Sequence, residues 1–257
     1  MTYLSKILEA HRAEALEDDR SLDQLIEEAK SSGPARGFAD SLRRTEGVAV
    51  ISEIKRRSPS KGELNADLDP AEWAQSYAAG GASCLSVLTD RAFFGGSPED
   101  LATARAACEL PVIRKDFTVS SHDVADAKIM GADAVLLIAA ALDDAELADF
   151  HALATELSLD ALVETHDEAE VDRALTVGAN VIGVNQRDLV TFEVDTERAV
   201  RVGAMIPDDV VAVAESGIRG PEDVPALRAA GFAAVLVGES LVRSGDPRAA
   251  VAALRAV

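Results

Sequence analysis

From Val48 onward, short runs of aliphatic and β-branched residues alternate with longer segments whose apolar positions recur every three to four residues. The runs predict strands at 48–55, 84–89, 111–115, 134–140, 160–164, 181–185, 210–215 and 234–238. The intervening periodicity predicts helices at about 70–79, 98–108, 121–130, 143–157, 167–177, 196–206, 221–230 and 246–256. The pattern before Val48 is different. Leu4, Ile7, Leu8, Ala15 and Leu16 share one helical face over residues 3–17. A second amphipathic helix starts at Ser21, where Ser21-Leu22-Asp23-Gln24 has capping-box spacing, and Ser31-Ser32-Gly33-Pro34 breaks it. Nothing strand-like precedes residue 48. Residues 1–47 are therefore expected to be a helical extension packed on a main domain of residues 48–257.

Local signals support the helices. Ser97-Pro98 and Asp246-Pro247 pair an N-cap residue with proline at the first helical position. Gly131, Gly178 and Gly231 fall where a helix end needs a left-handed residue. Strands that each lead into a helix through short connections require a parallel sheet, and eight of them match the closure of a (β/α)8 TIM barrel. A doubly wound open sheet is the alternative, but no glycine-rich dinucleotide fingerprint follows the first strand.

Side chains two apart share a strand face. Ala49, Ile51, Glu53 and Lys55 fall on one face of the first strand, with Val50 and Ile54 on the other. Ile113 and Lys115 end the third strand in the same way, Leu162 and Glu164 the fifth, Gly183 and Asn185 the sixth, and Val213 and Glu215 the seventh. Any one of these can be a solvated residue where a strand meets a loop. Five at the C-terminal ends of strands, where barrel enzymes carry their active sites, point to chemistry. Ser216-Gly217 and Gly238-Glu239-Ser240 follow the last two strands, and such small residues let backbone N–H groups approach a phosphate. Arg187 is either a planar donor for a carboxylate or a solvated loop residue. Phe93, Phe94 and Phe117 are either a wall for a planar ring or anchors for their loops.

Composition narrows the partners. Against 45 acidic residues stand 25 basic ones, a net charge of −20 that argues against a nucleic-acid-binding face. That excess suits a protein kept soluble in concentrated salt or an ordinary acidic enzyme. Screening of the self-repulsion is expected to raise the melting temperature between low and molar potassium chloride, and a flat or falling curve would remove the salt-adapted reading. No run is long and apolar enough for a membrane span, and the first nine residues lack a signal-peptide stretch, so a cytoplasmic location is expected. Cys84 and Cys108 fit neither a disulfide framework nor a zinc site. Histidines 11, 122, 151 and 166 lack metal-ligand spacing and read as surface or capping residues.

At these positions the chain resembles the indole-3-glycerol phosphate synthase family. The matching segments are Glu53-Ile54-Lys55 with Ser58-Pro59-Ser60-Lys61-Gly62, Ser86-Val87-Leu88-Thr89-Asp90, and Phe93-Phe94-Gly95-Gly96-Ser97. Arg114-Lys115-Asp116-Phe117, Leu162-Val163-Glu164, Asn185-Gln186-Arg187-Asp188-Leu189 and Ala214-Glu215-Ser216-Gly217-Ile218 continue the match. Two positions depart from the family: Gln186 stands where a second asparagine is usual, and Glu239 sits beside the expected phosphate, so its side chain should turn away. The resemblance implies ring closure of 1-(2-carboxyphenylamino)-1-deoxyribulose 5-phosphate with release of carbon dioxide and water. It implies Lys115 as general acid, Lys55 holding the substrate carboxylate, and Glu53 or Glu164 as proton-transfer partner. Asn185, Glu215 and Ser216 would position the substrate. Phe93, Phe117, Leu136 and Arg187 would bind its organic part, and Ser58, Gly217, Gly238 and Glu239 would surround the phosphate. No metal or organic cofactor is implied, and the expected partner is a small phosphorylated substrate on a monomer. A phosphate-sugar isomerase of the same pathway, or a non-catalytic binding protein on this scaffold, would keep the fold without needing both lysines and Glu164.

Overall fold

A computed structural model describes residues 3–58, 62–187 and 194–257. Pro59, Ser60, Lys61, Asp188 and Leu189 of the matching segments lie outside the described residues. Eight parallel strands close into a barrel: β1 (Ala49–Ile54), β2 (Cys84–Leu88), β3 (Val112–Lys115), β4 (Ala134–Ile138), β5 (Asp160–Thr165), β6 (Val181–Asn185), β7 (Val211–Glu215) and β8 (Ala234–Val237). Each strand pairs with its sequence neighbours, and β1 closes the ring on β8 with Ala49 opposite Ala234.

The two strand faces separate as the alternation predicts. Ala49, Ile51, Cys84, Ile113, Ala134, Leu136, Leu162, Val181, Val213 and Leu236 fill the interior. Val50, Ile54, Leu85, Val87, Val135, Val163, Ile182 and Ala214 pack outward under the helices. The interior is a packed core, so charged groups on the inward face can stand only at its ends. The predicted caps form: Ser97 accepts from Asp100 N and Asp246 from Ala249 N, each with proline in the first turn. Gly131, Gly178 and Gly231 all adopt positive φ.

Three helices precede the barrel, one more than the sequence pattern predicts. The first, Tyr3–Glu17, lies over the C-terminal mouth, with His11 bonded to Asp90 (2.9 Å) and Arg12 to Glu146 (2.7 Å). The second, Leu22–Ser31, runs along the flank against the helix Ser121–Ile129, where Ser32 Oγ donates to Lys128 O. The third, Phe38–Arg44, plugs the opposite end. Its Phe38, Ala39 and Leu42 join the interior core, Ala39 N donates to Asp160 Oδ2, and Ser41 Oγ donates to Ser83 O. The N-terminal segment thus touches both ends of the barrel. Among the described residues no helix is long and apolar enough to cross a membrane.

Candidate active site

The C-terminal ends of the strands open into a cavity of about 720 Å³. Glu53, Lys55, Lys115, Glu164, Asn185 and Glu215 all line it, because each continues the inward face of its strand by the two-residue period. The lysines separate into two couples. Lys55 Nζ bonds Glu53 on its own strand. Lys115 Nζ stands 3.5 Å from Glu164 Oε2 and 3.9 Å from Glu215 Oε2. Two buried glutamates and one lysine therefore share a single pocket, where both carboxylates cannot ionise freely.

Their environments push them apart. Burial works against the charged form of Lys115, yet Glu164, Glu215 and Glu53 outweigh it and hold the ammonium above the ordinary lysine range. Burial would also raise Glu164, but Lys115, His166 and Asn185 keep it below the usual carboxylate value. Asn185 Nδ2 donates to Glu164 Oε1 at 3.1 Å. Glu215 goes the other way, raised well above the usual range by burial and by the neighbouring Glu164. As a carboxylate its Oε1 has no hydrogen-bond partner among the described residues, and as a neutral acid it can donate toward Glu164. Glu53 is fully buried, and Lys55 and Lys115 overcome that burial to keep it ionised. These environments favour the charged forms of Glu164 and Glu53 and the protonated form of Glu215.

Two glycines make room for this cluster. A Cβ at Gly183 would overlap Glu215 Oε1, and one at Gly238 would overlap Glu53 Oε1 and come within 3.0 Å of its Cδ. Past β7, Ser216 and Gly217 are successive left-handed residues (φ 63° and 73°), an uncommon conformation for serine. Gln186 ties this turn down: its N donates to Glu215 O (3.0 Å) and its Nε2 to Ser216 O (2.9 Å). Ser58, Ser216, Gly217, Gly238 and Glu239 line one side of the cavity. The Glu239 carboxylate lies 3.5 Å from Arg243 Nε one helical turn on.

Arg187 and Leu136 also line the cavity, and Asn185 Oδ1 accepts from Arg187 N at 3.0 Å. The aromatic wall departs from expectation. Phe94 and Phe117 line the cavity with their rings 6.3 Å apart, whereas Phe93 stands off it and packs edge-on against Tyr3. Arg91–Phe94 is a short helix capped by Asp90, so adjacent phenylalanines diverge by about 100° around its axis. Tyr3, Leu4 and Ile7 of the first helix complete the lining, a contribution with no motif to announce it.

Two histidines are also misread from sequence alone. His11 is not a surface residue; it joins Asp90 and Asp116 in a group whose ligating atoms lie within 4.8 Å of one another. Asp90 also caps Phe93 N, and Asp116 accepts from Thr89 Oγ1 and Phe117 N, so the group's hydrogen bonds are satisfied within the protein. His166 is not the cap of the following helix, a role taken by Asp167; its Nδ1 bonds Glu170 Oε2 at 3.0 Å, and its Nε2 faces Glu164 Oε1 at 3.6 Å.

A closed parallel barrel with lysines and buried carboxylates converging above its strands belongs to the (β/α)8 enzymes. Within that class, the sequence model of indole-3-glycerol phosphate synthase matches residues 4–254, and the chain belongs to this family. It is 54% identical over 228 residues to indole-3-glycerol phosphate synthase 2 of Streptomyces coelicolor, covering 89% of this chain and 88% of that protein. It is 50% identical over 256 residues to the indole-3-glycerol phosphate synthase of Streptomyces griseus, covering 99% and 95% respectively. Among solved structures, thiamine phosphate pyrophosphorylase from Pyrococcus furiosus superposes with a TM-score of 0.62 at 17% identity, covering 83% of this chain and 96% of that one; this likeness concerns the fold alone.

Proposed function

We propose that Lys115 is the ring-closing acid of this enzyme. The reaction of the family converts 1-(2-carboxyphenylamino)-1-deoxyribulose 5-phosphate to indole-3-glycerol phosphate, carbon dioxide and water. The ring carbon bearing the carboxylate attacks the ketone carbon, and the carbonyl oxygen gains charge that a positioned ammonium protonates. Loss of carbon dioxide restores the aromatic ring, and loss of the new hydroxyl as water completes the indole. The observation that carries this reading is Lys115 Nζ 3.5 Å from Glu164 and 3.9 Å from Glu215 in the lining of the cavity. Lys55, coupled to Glu53, holds the substrate carboxylate during closure and serves with that glutamate in the dehydration. Glu164 exchanges protons with Lys115, while Asn185, neutral Glu215 and Ser216 orient the sugar chain.

Phe94, Phe117 and Leu136 form the anthranilate wall, and Arg187 supplies a planar donor beside it. Ser58, Gly217, Gly238 and the backbone of Glu239 hold the phosphate, with the Glu239 side chain turned toward Arg243. Incubation of purified protein with the anilino-deoxyribulose phosphate should generate indole absorbance. A sugar-phosphate isomerase or a binding protein on this barrel would leave that spectrum flat. Inorganic phosphate should raise the apparent KM without lowering the limiting rate, and non-competitive inhibition would remove the phosphate assignment.

A further inference from the structure

We propose that His166 is a positioning residue for Glu164, its ring fixed by Glu170 and its second nitrogen turned on the carboxylate that faces Lys115. The inference rests on the reading of Glu164 as the partner of Lys115. His166 follows the end of β5 two residues past Glu164, the next inward position on that face. Glu170 Oε2 grips it twice, accepting from the backbone N at 2.8 Å and bonding Nδ1 at 3.0 Å. Glu170 is itself held at the start of the helix Glu168–Thr176, where its N–H donates to the Asp167 cap. An ionised carboxylate only accepts, so Nδ1 carries a proton. Nε2 is then bare in the neutral ring or N–H in the imidazolium. It is buried and has no hydrogen-bond partner among the described residues, and Glu164 Oε1 is 3.6 Å away. A bare lone pair there would face a carboxylate, whereas the imidazolium presents a positive edge to it.

The charged groups around the ring are Glu164, Glu170 and Arg198. Burial and Arg198 oppose the imidazolium, but the two glutamates prevail and raise His166 above the ordinary histidine value. The consequence reaches the acid. Lys115 is nearly equidistant from Glu164 and Glu215, 3.5 and 3.9 Å, so it cannot by itself decide which of them keeps the proton. His166 and Asn185 both address Glu164. They break the symmetry, fixing the negative charge on Glu164 and the proton on Glu215.

His166→Gln, Glu170→Gln and Glu164→Gln, each assayed across pH for kcat and KM, test this. Because the folded value of His166 is raised, its charge persists to higher pH than that of an ordinary imidazole and is lost as pH rises through the folded value. The native enzyme should therefore show an alkaline limb in kcat. In His166→Gln, kcat should fall roughly 10- to 100-fold, the scale of a mispositioned catalytic group, with little change in KM and without that limb. Glu170→Gln keeps an acceptor for Nδ1–H but removes a charge, so the limb should move to lower pH. Nuclear magnetic resonance of the His166 ring gives a readout independent of turnover: its titration midpoint should fall in Glu164→Gln, since coupling is reciprocal. Unchanged kcat and pH profile in folded His166→Gln, or an unmoved midpoint in Glu164→Gln, would overturn the inference. If His166→Gln does not fold, the Glu170→Gln limb and the ring titration decide it. Near-native turnover in Glu164→Gln would instead sink the assignment of Glu164 itself.

Discussion

Lys115→Ala should lower kcat by ~10²–10⁴-fold, the usual worth of a general acid, and raise KM far less. The ammonium acts on charge that develops only as the ring closes, so ground-state binding by the aromatic wall and phosphate loops survives its loss. The fold should survive as well, because Glu164 and Glu215, left facing each other, can take up a proton in place of the missing cation. Lys115→Arg keeps the charge but holds its proton too firmly, so it should restore KM better than kcat. Lys30→Ala, at an exposed ion pair with Glu156 on the flank, is the control and should leave both constants unchanged. Near-normal turnover in a folded Lys115→Ala protein would make this lysine structural and pass the acid role to Lys55.

Gly238→Ala should cost about 100-fold in kcat, the scale of an ångström-sized displacement at a reacting group. The added methyl would overlap Glu53 Oε1 and lie 3.1 Å from Glu53 Cβ, and the glutamate is buried, so the overlap is relieved only by displacing it from its position beside Lys55. That displacement disturbs the couple between Glu53 and Lys55. A glycine there that served only to admit phosphate would show the loss in KM alone. Comparing the two constants separates these roles, and a drop confined to KM would mean that the Glu53 couple tolerates displacement.

The barrel was legible because two simple periods govern it. A two-residue alternation placed Glu53, Lys115, Glu164, Asn185 and Glu215 on inward faces, and closure brought them together. What escaped the sequence was whatever depended on contacts between distant segments. His11 reads as one more polar residue on an amphipathic helix, since Asp90 and Asp116 lie far along the chain. The plug Phe38–Arg44 is only seven residues long, too short for its periodicity to stand out. The Phe93–Phe94 pair has no direction until the short helix Arg91–Phe94 gives it one. The upward push on the Glu215 carboxyl likewise comes from burial beside Glu164, which neither residue reveals alone.

The closing seam between β1 and β8 bears on how the chain reaches this state. Ala49 and Ala234 pair across 184 residues of intervening sequence, and the plug helix, made before every strand, must seat among strands that all follow it. During synthesis β1 is among the first barrel strands to emerge, but its partner on one side arrives only near the end of translation. Until then that edge has unpaired N–H and C=O groups, a template for association with other nascent chains. Its sequence answers with residues that disfavour such pairing: Glu53 and Lys55 interrupt the apolar inward face at its end, and Arg56 and Arg57 follow. The charges that serve the mouth of the finished barrel thus also guard its oldest strand while the barrel is still open.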